Sequence, residues 1–265
     1  MRCVLFALSV VVLPMGVHAE TIRLYAAGSL RAAMADIVTS FEAAAGGKTK
    51  VEAVYGASGL LRERIEKGEP AQVFASADTG HPKRLAEQGL AAAPVTIFAR
   101  NKLCALVREG LDVTTERLLD VLLDLNVRLA TSTPKADPSG DYAFALFGKA
   151  EALRAGAKAK LEAKALQLVG SPTAERAPEG KNLYGWLMAS GKADVFLTYC
   201  TNAVQAKTAV PTLSIVAIPD ALAIGADYGL VVLKGAPPAA HEFATFIRSQ
   251  AGRDILGRHG FGAGE

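Results

Sequence analysis

Apolar and polar positions along this chain fall into short blocks whose period switches repeatedly. Residues 21–27 (TIRLYAA) read as a short apolar strand. Leu30, Ala33, Met34, Ile37 and Phe41 then recur at helical spacing. Residues 50–55 (KVEAVY) alternate and are rich in strand formers. Residues 61–67 return to a helical pattern, with Arg62–Glu66 and Glu63–Lys67 four apart. Gly68-Glu69-Pro70 stops that helix. Residues 73–77 form a third strand and 81–88 a short helix. This strand–helix alternation predicts a parallel sheet with helices on its faces.

Residues 95–107 make a longer β-rich stretch, interrupted by the polar Arg100-Asn101-Lys102. A second alternating unit follows, with a helix over 114–123, a strand over 127–131 and a helix over 142–153. Beyond it come a helix at 183–190 and strands at 193–199, 213–218 and 226–233. Helices at 238–250 and 252–259 close the pattern. No short repeat and no low-complexity linker separates the halves, so the two α/β units are expected to be joined by strands rather than by a tether. Ligands of open α/β sheets bind beyond the carboxyl ends of the strands.

The first nineteen residues read differently. A basic start at Arg2, an apolar run over 3–12 and small residues at Val17 and Ala19 have the form of a secretory signal peptide. The run is short for a membrane span, so the chain is expected to be exported and soluble. Losing Arg2 takes Lys plus Arg from 29 to 28 against 26 acids, a net charge of about +2. With no basic run interleaved with aromatics, nucleic acid is not an expected partner. Cys104 and Cys200 remain, and an exporting compartment permits a disulfide between them; two unpaired thiols are the alternative.

Three turns carry the candidate chemistry: AAGSL at 26–30, YGASGLL at 55–61 and ADPSGDY at 136–142. Each follows a strand or opens a helix, and each offers a hydroxyl (Ser29, Ser58, Ser139) and unpaired N–H groups at a helix N-terminus. That is the chemistry of an anion site without a fixed positive charge. Taken singly, each serine also reads as an ordinary helix cap. Gly28, Gly59 and Gly140 flank them and permit close approach of a ligand. Tyr199 ends a strand and Lys181 precedes a helix; their plainer readings are a core tyrosine and a solvated lysine. An enzyme is not expected. Gly56-Ala57-Ser58-Gly59 has the wrong spacing for a hydrolase elbow, His81, His241 and His259 sit in no recognisable nucleophile motif, and neither a nucleotide loop nor metal-ligand spacing occurs.

At these residues the chain resembles the periplasmic molybdate-binding proteins of ABC transporters. The resemblance covers nearly all of the chain after residue 19. It rests on AAGSL, on residues 55–78 (YGASGLLRERIEKGEPAQVFASAD), on the PSG turn, on LTYCTNAV at 197–204 and on GRHGF at 257–261. It implies an α/β, two-lobed periplasmic-binding-protein fold with mixed, mainly parallel sheets and a two-crossing hinge. Lobe 1 would hold 20–99 plus 222–265, and lobe 2 would hold 100–221. It implies capture of molybdate, with tungstate as a second candidate, and delivery to an ABC permease by a periplasmic monomer that needs no cofactor. Ser29 and Ser58 would donate hydroxyl and N–H groups to the oxyanion, Ser139 its N–H and Tyr199 its phenol. A helix-start N–H would come from near Lys181, and the metal would be held only through its oxygens. Lys181 departs from the family's uncharged residue, and Asp137 and Asp141 add negative charge. A different oxyanion or small carboxylate using Lys181, or an exported enzyme on the same scaffold, are the alternatives.

Overall fold

A computed structural model describes residues 20–264; the expected signal peptide lies outside them. Strands β1 (Glu20–Ala27), β2 (Thr49–Gly56) and β3 (Val73–Ser76) alternate with helices α1 (Arg31–Ala44), α2 (Ser58–Glu66) and α3 (Gly80–Glu87). The long strand β4 (Thr96–Val107) leads to α4 (Leu118–Leu123), β5 (Leu129–Ser132), α5 (Pro138–Leu153), α6 (Ala157–Lys164) and β6 (Leu166–Val169). Then come α7 (Leu183–Ala189), β7 (Val195–Tyr199), α8 (Cys200–Ala209), β8 (Ser214–Ala217) and β9 (Gly225–Val232). The chain closes on α9 (Pro238–Arg248), α10 (Gln250–Arg258) and β10 (Gly262–Ala263). The strands make one curled sheet in the order β2-β1-β3-β9-β4-β7-β5-β6, with β8 and β10 paired to β4.

The first three strands are parallel, as the alternation predicts, and both sheet faces are covered. Ile22, Leu24 and Ala26 point to one face, where Met34, Ile37 and Phe41 of α1 meet Phe243 and Ile247 of α9. Tyr25 and Phe74 point to the other, against Leu61 and Ile65 of α2 and Leu85 of α3. A strand buried on both faces reads as an unbroken apolar run, which is why TIRLYAA and VFASA stood out. Each fully buried side chain of this size contributes about 1.5–3 kcal/mol.

β4 and β9 change the pattern. Residues 96–102 of β4 pair antiparallel with β9, and residues 103–107 pair with β7 and β8 instead. β4 therefore leaves one half of the sheet and enters the other, and the antiparallel pairing of the sheet falls on β4 and β9. The polar Arg100-Asn101-Lys102 does not interrupt β4. Arg100 and Lys102 face solvent, and Asn101 is buried with its amide hydrogen-bonded to Thr201 and Tyr228. Cys104 and Cys200 form a disulfide, with Cα atoms 4.9 Å apart. The bond ties β4 to the residue that follows Tyr199.

Several boundaries moved, each for a local reason. α5 begins at Pro138 rather than 142, because Asp137 caps it by accepting from the Ser139 N–H at 3.0 Å, with Pro138 at the first helical position. The helix over 114–123 shortens to α4. Sequence patterning left out α6, β6 and α8; α6 and α8 carry too little one-sided apolar character to register as amphipathic.

Candidate functional site

Parallel register places Ala27 of β1 beside Gly56 of β2, and Ala26 beside Ala75 of β3. The chain therefore leaves all three strands at one edge, and residues 28–30, 57–59 and 77–79 emerge together. In the other half β5 and β7 are parallel, with Ala130 beside Phe196, so the turn after β5 and Tyr199 share an edge. The two edges meet. The Gly59 N–H donates to the Ala136 carbonyl at 2.8 Å, and the Tyr199 phenol donates to the Ala77 carbonyl at 3.2 Å. A side chain at Gly59 would collide with the Lys135 and Ala136 carbonyls, so glycine is what allows this approach.

The serines do not act as caps. Ser29 sits inside a 3-10 turn, Gly28–Leu30, and Ser58 is the first residue of α2 with Ala57 as its cap; neither turn shows a side-chain cap bond. Ser29 Oγ instead lies 2.9 Å from the Tyr228 hydroxyl. Ser58 Oγ accepts from the Ala77 N–H at 3.1 Å. Ser58 and Tyr199 thus hold the two backbone groups of one residue, Ala77. Ser139 is 1 % exposed, and its Oγ has no hydrogen-bond partner. Its N–H, expected to face a ligand, is already given to Asp137. The hydroxyl is the group Ser139 has left to offer.

Lys181 stands apart from the other four. It is exposed, its N–H donates to the Pro178 carbonyl at 3.1 Å, and its side chain makes no hydrogen bond or ion pair among the described residues. The cap of α7 is Asn182, which accepts from the Gly185 N–H at 2.9 Å. Helical geometry then leaves the first N–H groups of α7 on Leu183 and Tyr184. These groups lie two and three residues beyond Lys181.

Tyr228 is the residue that sequence reading missed. It is fully buried on β9, with its ring 5.5 Å from that of Tyr199 and its hydroxyl bonded to Ser29 and Asn101. No local signal marks it, since a tyrosine in ADYGLVVL looks like core. Burial raises the phenol pKa of Tyr199 and Tyr228 far above the usual value, so both stay protonated.

Three carboxylates border the turns, and each is engaged. Asp78 accepts from Ser76 Oγ at 2.7 Å and from the His81 N–H at 3.2 Å. Asp141 accepts from the N–H of Lys135 at 2.9 Å, which holds that residue at φ 67°. Burial, joined by the charges of Asp141 and Asp78, pushes the Asp137 carboxyl up to about 6 against the cap bond that opposes it. Burial also lowers the pKa of His81. Among the described residues no group of three metal-ligating side chains occurs, and no helix is long and apolar enough to cross a membrane.

A curled mixed sheet whose two halves meet at their strand ends, around neutral donors, defines a two-lobed solute-binding protein. The chain belongs to the family of bacterial extracellular solute-binding proteins, whose model matches residues 22–262. It is 37 % identical over 182 residues to the uncharacterized protein PM1146 of Pasteurella multocida, covering 68 % of this chain and 75 % of that one. It is 27 % identical over 253 residues to the molybdate-binding protein ModA of Mycobacterium tuberculosis, covering 92 % and 85 %. Among solved structures, the periplasmic molybdate-binding protein of Azotobacter vinelandii matches with TM-score 0.71 at 20 % identity, covering 91 % and 98 %. The sulfate-binding protein SubI of M. tuberculosis matches with TM-score 0.74 at 18 % identity, covering 91 % and 86 %. The family and the relatives whose ligands are named are binding proteins, and the chain is a binding protein rather than an enzyme. The fold alone does not choose among their ligands.

Proposed function

We propose that this protein is exported to the periplasm, captures a fully deprotonated tetrahedral oxyanion between two lobes and delivers it to an ABC permease. Molybdate is the proposed ligand, with tungstate as the second candidate. Ser29, Ser58, Ser139 and Tyr199 are the proposed contacts, with Leu183 replacing Lys181 as the source of the helix-start N–H. The lobes divide near residues 99 and 222, and β4 together with the segment entering β9 forms the hinge.

The observation that carries this reading is the buried Ser139 hydroxyl, without a partner, beside a junction built from helix N-termini and neutral hydroxyls. A buried hydroxyl without a partner costs free energy, and a bound oxyanion would supply the acceptor. Burying a dianion is costly unless each oxygen is hydrogen-bonded, and N–H and O–H donors at helix starts meet that need with a favourable dipole. The 27 % identity to ModA over most of both chains favours molybdate within the oxyanion class. Donor spacing would discriminate by size, since the bonds of molybdate to oxygen are longer than those of sulfate.

The test is calorimetry on anion-stripped protein with molybdate, tungstate, sulfate, chromate and phosphate. Tight molybdate binding without sulfate heat is expected. Silence with every oxyanion would overturn the reading, and sulfate binding with molybdate silent would move the ligand.

A further inference from the structure

The contact between Ser29 Oγ and the Tyr228 hydroxyl permits either atom to donate. The surroundings decide which one does. Asn101 Oδ1 accepts from the N–H of Lys102 at 2.9 Å. A flipped amide would set two donors against each other there, so Nδ2 faces the opposite way. An amide nitrogen only donates. Its two hydrogens go to Thr201 Oγ1 at 2.9 Å and to the Tyr228 oxygen at 3.2 Å. Tyr228 therefore accepts from Asn101. Of the two hydroxyls beside it, those of Ser29 and Tyr199, Ser29 Oγ is the one at hydrogen-bond geometry, so the single Tyr228 proton is directed there. Ser29 accepts that proton and keeps its own.

We propose that Asn101 and Tyr228 are positioning residues that fix the sense of this hydrogen-bond chain, so that the Ser29 proton is held for the bound anion. The inference rests on the oxyanion reading above and deepens it. Ser29, Asn101 and Thr201 are all at most 8 % exposed, and Tyr228 is fully buried, so solvent does not randomise the chain. Its geometry follows from the crossing strands. Asn101 lies opposite Ala226, two residues from Tyr228, and alternate residues of β4 and β9 share a face. If the sense were reversed, Ser29 would spend its proton on Tyr228 and present only lone pairs to an anion, which repel it.

The sense can be inverted chemically. In Asn101→Asp, one oxygen keeps the Lys102 N–H, and the other accepts from the hydroxyls of Tyr228 and Thr201, so every polar group stays paired. Tyr228 then gives its proton to the introduced carboxylate and takes that of Ser29. Tyr228→Phe cuts the chain and returns the Ser29 proton, even when the carboxylate remains. Calorimetry with molybdate on wild type, the two single variants and the double variant reads this out, with thermal melts confirming that each is folded.

Asn101→Asp is expected to weaken binding about 30-fold, the scale of one hydrogen bond to a charged group. Tyr228→Phe is expected to weaken binding by about 3–5-fold, because Ser29 keeps its proton but loses the partner that orients it. The double variant is expected to bind about 5-fold more tightly than Asn101→Asp alone. A purely structural or purely repulsive effect makes the double variant equal to Asn101→Asp or weaker. That result, or wild-type affinity in Asn101→Asp, overturns the inference while leaving the oxyanion reading intact. A wild-type protein that binds no oxyanion overturns the reading, and the inference with it.

Discussion

Asp137→Asn is expected to make the protein more stable at pH 8 and to leave it unchanged at pH 4. The Asp137 side chain is half-buried against Gly170 and feels the charges of Asp141 and Asp78, and its pKa rises from the usual 3.8 to about 6. Between these values the folded state holds a proton that the unfolded chain has released. Stability is therefore complete below about pH 4 and declines as the pH rises through about 6. At about 1.4 kcal/mol per pH unit, the penalty at pH 8 is on the order of 3 kcal/mol. Asparagine keeps the cap acceptor for the Ser139 N–H and carries no charge. Urea unfolding at several pH values between 4 and 8 measures the difference directly. Asp137→Asn should exceed wild type by about 1–3 kcal/mol at pH 8, with the curves converging near pH 4. The same proton bears on ligand capture. A dianion nearby favours the neutral acid, so wild type should bind more tightly at pH 5.5 than at pH 8 and take up a proton, whereas the variant should not. A stability difference that is constant from pH 4 to 8 would refute the reasoning.

Other perturbations separate the parts of the site. Gly59→Ala places a methyl against the Ala136 carbonyl, 2.8 Å from where its Cβ would lie; on the hinge reading it should lower oxyanion affinity at least about 10-fold with little loss of fold stability, and unchanged affinity by calorimetry would remove the closure contact. Cys104→Ser with Cys200→Ser opens a crosslink across a separation of 96 residues. Chain entropy sets a loss near about 4–5 kcal/mol, and measured losses for native bridges run about 2–5 kcal/mol; a melting temperature indifferent to both the variant and reductant would contradict this. Lys181→Ala should leave affinity within about 2-fold of wild type, because its side chain is solvated; a loss of about tenfold would bring Lys181 back into the site.

Much of the fold was legible because it is local. Runs buried on both faces stood out as strands, and helices with one apolar stripe stood out by period, as Leu30, Met34, Ile37 and Phe41 show. The turns at Ser29, Ser58 and Ser139 were legible for the same reason, since strand, small residue and helix start are neighbours in the chain. The elements with weak amphipathic character, α6 and α8, left no such trace. The helix over 183–190 was legible, and the structure adds that its cap is the Asn182 side chain, one residue beyond Lys181.

What no reading of neighbours could supply was contact across large separations. Ser29 and Tyr228 are 199 residues apart, Asn101 and Tyr228 are 127 apart, and the cysteines 96. Those pairings arise from the order and register of the sheet, in which β9 lies between β3 and β4 and β4 runs on to pair with β7, and local preference does not encode them. The same holds for the proton on Asp137, whose state depends on burial, on Asp141 of its own turn and on Asp78 of another. The chain's local chemistry set out the donors; the packing of its two halves chose which still had a hydrogen to offer.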